Sequence, residues 1–133
     1  MTTQAERALQ SEVMLRLRAG AWPVIALPIP NSIYFPARSD SERSMIGRVI
    51  NQMKNAGMLV PGAPDLVCLW RGGGAAIELK RPKSRDLLKA RPAGRPSDVQ
   101  IEFAERAALL GIHHAYCDCW EQVRDRLTEW VAA

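Results

Sequence analysis

The chain has 133 residues, 47% apolar and 24% charged, the composition of one globular domain with a single core, which excludes low-complexity and collagen-like organisation. Its longest apolar stretch, residues 21 to 29, falls well short of the ~20 residues a bilayer-spanning helix needs, and the N-terminus lacks a basic-then-apolar secretory signal, so one cytoplasmic domain over residues 1–133 with no membrane partner is expected. A formal charge of +4, with a pI near 9.3, permits an anionic partner such as nucleic acid without identifying one.

A first helix is expected over residues 4 to 18, opened by Thr3 and Glu6 as a capping box and stopped near Gly20. At about 100° per residue, Glu6 falls inside the stripe of Leu9, Val13 and Leu17, and Glu12 lies on its edge. Val24 to Ile29 reads as a short strand that prolines at 23, 28 and 30 end early or confine to an edge. A polar loop from Asn31 to Asp40 follows. Met45, Ile46, Val49, Ile50, Met53 and Ala56 then recur at helical spacing, with Asp40 or Ser41 as cap and Gly57 as stop. Asp65–Trp70 and Ala75–Lys80 flank Arg71-Gly-Gly-Gly74 and read as a β-hairpin. That glycine run lacks the Gly-Lys-Ser/Thr ending of a phosphate loop and is a turn. From Lys80 to Arg95 there are seven basic residues and one acidic, Asp86, the pattern of a mobile basic loop. Ser97-Asp-Val-Gln100 opens a further helix with Ile101, Phe103, Ala104 and Ala108 inward and Gly111 as stop. His113–Cys117 is a strand, and Asp118 caps a last helix carrying Val123, Leu127, Trp130 and Val131. Adjacent His113 and His114 face opposite ways and suit structural roles, Trp70 and Trp120 suit packing, and Cys68, Cys117 and Cys119 suit reduced structural thiols.

The chemistry lies in the hairpin. Glu78 and Lys80 are two apart on a strand and share a face. A turn centred on Gly72-Gly73 sets Asp65 opposite Lys80 and diagonal to Glu78 on that face, whereas a one-residue change of loop would send Asp65 to the other side. Two carboxylates on neighbouring strands suit one hard divalent cation, Mg²⁺ or Mn²⁺, with water and phosphate completing its shell. Lys80 beside them can orient an attacking water or stabilise developing charge; with an ordinary pKa of ~10.4, it acts as a general base only if metal and burial lower that value.

Gly62-Ala-Pro-Asp65 followed by Glu78-Leu-Lys80 resembles the core motif of the PD-(D/E)XK nucleases. With Asn31 after Pro30, a helix ending at Gly57, Pro61-Gly62 ahead of the motif and a later helix carrying Gln100, nearly the whole chain resembles a minimal stand-alone VRR-NUC domain. The resemblance implies an α/β, restriction-endonuclease-like fold with an αβββαβ core, a small mixed sheet flanked by helices. It implies a metal-dependent DNA endonuclease selective for flaps or four-way junctions. By position it implies Asp65, Glu78 and the Leu79 carbonyl as metal ligands, Lys80 as the catalytic lysine, Gln100 as the glutamine of the following helix, and Glu6, or else Glu12, as the first-helix glutamate.

Two of these residues have a plainer reading. Thr3 with Glu6 and Ser97 with Gln100 both fit capping boxes, and a glutamine turned back to its own cap would not reach a metal-bound water, so both readings of Gln100 stand. Beside a phosphodiesterase site, Lys83, Arg85, Lys89, Arg91 and Arg95 would clamp the backbone of branched DNA. Paired incisions at a junction would need two protomers, hence a two-fold homodimer. The main alternative is a non-catalytic DNA-binding or assembly protein that keeps the nuclease fold. A nucleotide-binding regulator is disfavoured because no phosphate-binding glycine loop precedes a helix.

Overall fold

The computed structural model of the chain describes residues 4–30, 36–82 and 95–133. Thr3, Asn31, Lys83, Arg85, Lys89 and Arg91 lie outside the described residues. The elements run α1 (Gln4–Ala19), β1 (Ile25–Pro28), α2 (Asp40–Asn55), β2 (Leu66–Trp70), β3 (Gly73–Leu79), α3 (Asp98–Leu109), β4 (His113–Cys117) and α4 (Trp120–Ala132). The protein is mixed α/β. Its four strands form one sheet in the order β1-β2-β3-β4, the first two pairings antiparallel and β3–β4 parallel. A parallel pair requires a crossover, and α3 lies within it.

Alternation along β3 divides its side chains between two faces, and both are covered: every residue from Ala75 to Lys80 is buried. Ala75, Ile77 and Leu79 join Leu66 and Cys68 of β2 and Ala115 and Cys117 of β4 on one face. There they meet the expected stripes of α1 (Leu9, Val13, Leu17) and α4 (Val123, Leu127, Trp130) in a single apolar cluster. The opposite face carries Ala76 and Glu78 next to His114 and Tyr116, and α3 packs on the β4 side. The prolines around β1 agree with its place at the sheet edge.

Four local expectations are corrected. Trp70 pairs with Gly73, so the hairpin turns on Arg71-Gly72, with Gly72 at φ 90°, and not on Gly72-Gly73. The cap of α2 is Ser39, whose hydroxyl accepts from the Glu42 N–H at 3.2 Å, in place of Asp40 or Ser41. The cap of α4 is Cys119, not Asp118, and Gln122 reaches back to accept from the Asp118 N–H at 2.8 Å. On α3 the buried residue is Ala107, with Phe103 and Ala104 half-buried, while Ile101 and Ala108 are exposed. The helix is turned to put Gln100 against the sheet, which carries Ile101 about 100° away from it. The expected stripe of α2 is amphipathic as read, but Met45 and Val49 are exposed and no residue of this helix is buried.

Candidate active site

Asp65 sits where the chain enters β2, and the register carried one residue past Leu66–Ile77 brings it opposite Glu78. The expected opposition to Lys80 is therefore corrected by two residues. A two-residue shift preserves the face, so Asp65 and Glu78 still converge. Asp65 Oδ2 accepts from the Leu79 N–H at 2.8 Å, and its carboxyl hydrogen-bonds the Glu78 carboxyl. The Asp65 carbonyl accepts from the Ile29 N–H at 2.9 Å and from Gln10 Nε2 at 3.3 Å, which ties the residue to β1 and α1. Behind it, Gly62 at φ 77° lies so close to α3 that an added Cβ would meet the Val99 carbonyl oxygen at 2.5 Å. Only glycine fits both that backbone angle and that approach.

Asp65, Glu78 and Lys80 are all buried, at 6%, 3% and 8% exposure, so none belongs to the solvated charged face that a strand Glu-x-Lys commonly forms. Burial comes first among the causes that push the Glu78 carboxyl from its ordinary 4.5 to about 8. The negative charge of Asp65, its hydrogen bond and the charge of Glu6 add to the rise, and Lys80 opposes it. Lys80 Nζ lies 4.0 Å from Glu78 Oε1 and donates to Gln100 Oε1 at 2.5 Å. Gln100 Nε2 in turn donates to Glu78 Oε1 at 2.5 Å. One amide thus bridges ammonium and carboxyl. The same Gln100 Oε1 accepts from the Ser97 N–H at 2.9 Å, and Ser97 Oγ accepts from the Gln100 N–H at 3.4 Å. The two readings of Gln100 are joined, because a carbonyl oxygen has two lone pairs and the amide nitrogen remains free to turn toward Glu78.

Glu6 is half-buried and accepts from the Arg81 N–H at 3.2 Å, so α1 delivers it to the end of β3 as its inward angle predicted. Glu12 is exposed and paired with Arg16 at 3.1 Å, away from this cluster. Arg95 is exposed ahead of α3, and nothing joins it to the buried cluster in the described hydrogen bonds. Two residues were missed. Gln10 lies one helical turn after Glu6, a spacing that could have revealed it. Tyr116 stands beside Glu78 on β4 and donates its hydroxyl to the Gln100 carbonyl at 3.3 Å, a place that only the parallel register discloses. His113 is stacked between Trp70 and Trp130, and His114 packs against Phe103 and Tyr116, so both histidines have the structural surroundings expected of them.

The donor set fits a hard divalent cation. Among the described residues no group of three or more His, Cys, Asp or Glu gathers for a metal. Two buried carboxyls adjoin there, however, and a divalent charge would offset the burial and the neighbouring Asp65 charge that together raise Glu78. Mg²⁺ characteristically takes one or two carboxylates and fills its shell with water and phosphate oxygen. Buried Cys68 and Cys117 belong to the apolar face and offer no thiolate here. No family model, curated protein or solved structure matches the chain.

Proposed function

We propose that the protein is a Mg²⁺- or Mn²⁺-dependent DNA endonuclease of VRR-NUC type that hydrolyses phosphodiesters in flaps or four-way junctions. The observation that carries this reading is the meeting of Asp65 and Glu78 on one buried sheet face, with Lys80 tied to Glu78 through the Gln100 amide. Asp65 and Glu78, joined by the Leu79 carbonyl, would hold the metal. When bound, that ion supplies Lewis acidity toward a phosphodiester and lowers the pKa of a coordinated water. Lys80 donates one of its three N–H groups to Gln100 Oε1 and would set its positive charge beside a phosphoryl oxygen as that oxygen gains negative charge. Gln100 keeps that ammonium and the Glu78 carboxyl in fixed relation, so neither must reorganise as charge develops. Gln10 and Glu6 hold the backbone of Asp65 and Arg81 from the α1 side. Phosphate-binding side chains, Arg95 among them, would position DNA without reading its bases. Cutting both strands of a junction takes two such sites, and the reading therefore includes a two-fold dimer.

The test is cleavage of flap, splayed-arm, four-way and linear DNA by purified protein with Mg²⁺, Mn²⁺ or chelator. Cleavage that requires the metal and falls on the order of 10²-fold or more in Glu78→Gln and in Lys80→Ala is expected. DNA binding without cleavage under any metal would replace this reading with the non-catalytic module.

A further inference from the structure

A groove of about 460 Å³ runs along the flank of α1. Arg7, Gln10, Ser11, Met14, Leu15 and Arg18 line it from the helix, and Pro28 closes it from the end of β1. The spacing of Arg7, Ser11, Met14 and Arg18 puts them along one side of α1, next to the stripe that Leu9, Val13 and Leu17 bury in the core. Two observations join this groove to the site. Gln10, one of its walls, donates to the Asp65 carbonyl, and Pro28 immediately precedes Ile29, whose N–H is bound to that same carbonyl.

We infer that this groove is the track for one strand of nucleic acid leaving the site, held by its phosphate backbone; the inference rests on the nuclease reading. Arg7 and Arg18 are exposed guanidiniums eleven residues apart on one helix, roughly 16 Å at 1.5 Å per residue. At about 3.4 Å of axis per nucleotide in one strand, they span several nucleotides. Guanidinium is the side-chain group best matched to a phosphate diester, and Ser11 and Gln10 add neutral donors between the two charges. The apolar walls between them, exposed Leu15 and Pro28 with the buried Met14 behind, offer sugars a surface with no base-reading donor or acceptor. The track is therefore indifferent to sequence. It would give the strand a line of anchorage on α1.

The experiment measures binding of a fluorescein-labelled splayed-arm DNA by anisotropy, in EDTA and in Ca²⁺, over a series of NaCl concentrations, with Mg²⁺-dependent cleavage of the same DNA in parallel. R7Q/R18Q is compared with R43Q/R124Q, which removes equal charge from exposed positions elsewhere, where Arg43 pairs with Asp40 and Arg124 with Asp125. The groove variant is expected to bind roughly tenfold or more weakly, with the log–log salt dependence shallower by about two and KM raised in step. The control variant is expected to stay near wild type, and circular dichroism at the assay temperature is expected to show both variants folded. Wild-type affinity and salt slope in R7Q/R18Q, or equal losses in the two variants, overturn the track alone. A wild-type protein that neither binds nor cuts the DNA overturns the nuclease reading, and the track falls with it.

Discussion

Glu78 concentrates the chemistry of the site in a single side chain. In the folded chain it faces Asp65, Glu6, Lys80 and the Tyr116 ring, and its carboxyl is raised to about 8 from 4.5. Between those values the native state keeps a proton that the unfolded chain has released. Where the native state binds more protons, stability falls as pH rises, so in metal-free protein it is highest below the unfolded value and is lost as pH climbs through the folded one. Urea unfolding in EDTA is expected to show a midpoint that declines from about pH 5 to about pH 8. Glu78→Gln, which keeps the shape and carries no charge, should flatten that decline; an unchanged slope in this variant would assign the pH dependence to another group.

At the scale of elements, α3 is held by one residue doing two jobs. Gln100 completes the capping box with Ser97 and also clamps Lys80 to Glu78. Gln100→Ala is expected to cost about 1 kcal/mol of stability as the cap is lost, together with most of the cleavage rate. Gln100→Glu keeps an acceptor for both the Ser97 N–H and Lys80 but loses the donor to Glu78 and adds a carboxyl beside it, so its rate should fall much further than its thermal midpoint. A fall of both in proportion would mean that Gln100 only caps. Much of this level was legible in the sequence: every predicted helix and strand is present, and α1 buries the stripe that was read from it. The errors lie where a choice between neighbours depends on partners far along the chain. Arg71-Gly72 was not distinguishable from Gly72-Gly73 when three glycines follow one another, and the face of α3 was set by a contact with β3 and not by its own apolar residues. Gln10 and Tyr116 acquire their positions from the same long-range pairings. Asp65, Glu78 and Lys80 were legible because strand alternation is local, and an error of two in register leaves alternation intact.

The described structure is built around one sheet whose interior strand β3 is covered on both faces, with two buried carboxyls at one end of that strand. No helix among the described residues is long and apolar enough to cross a membrane. A cation bound only by the folded chain stabilises it by mass action, about 2.7 kcal/mol when present at a hundred times its Kd. For a domain of this size that corresponds to a rise in Tm on the order of 10 °C. Mg²⁺ or Mn²⁺ should therefore raise the melting temperature of the wild type and of Glu12→Gln, and should raise that of Glu78→Gln much less. Equal shifts in all three would place the ion elsewhere. The site is also tied together across long stretches of chain: Glu6 reaches Arg81, Gln10 reaches Asp65, and Gln100 reaches both Glu78 and Lys80. A polypeptide leaving the ribosome has Glu6, Asp65 and Glu78 early, yet the amide that locks ammonium to carboxyl emerges only with α3, followed by the strand that pairs with β3 in parallel. A half-made chain thus carries the buried acids and the lysine before the amide that joins them, and the cluster is complete only after the last strand has docked.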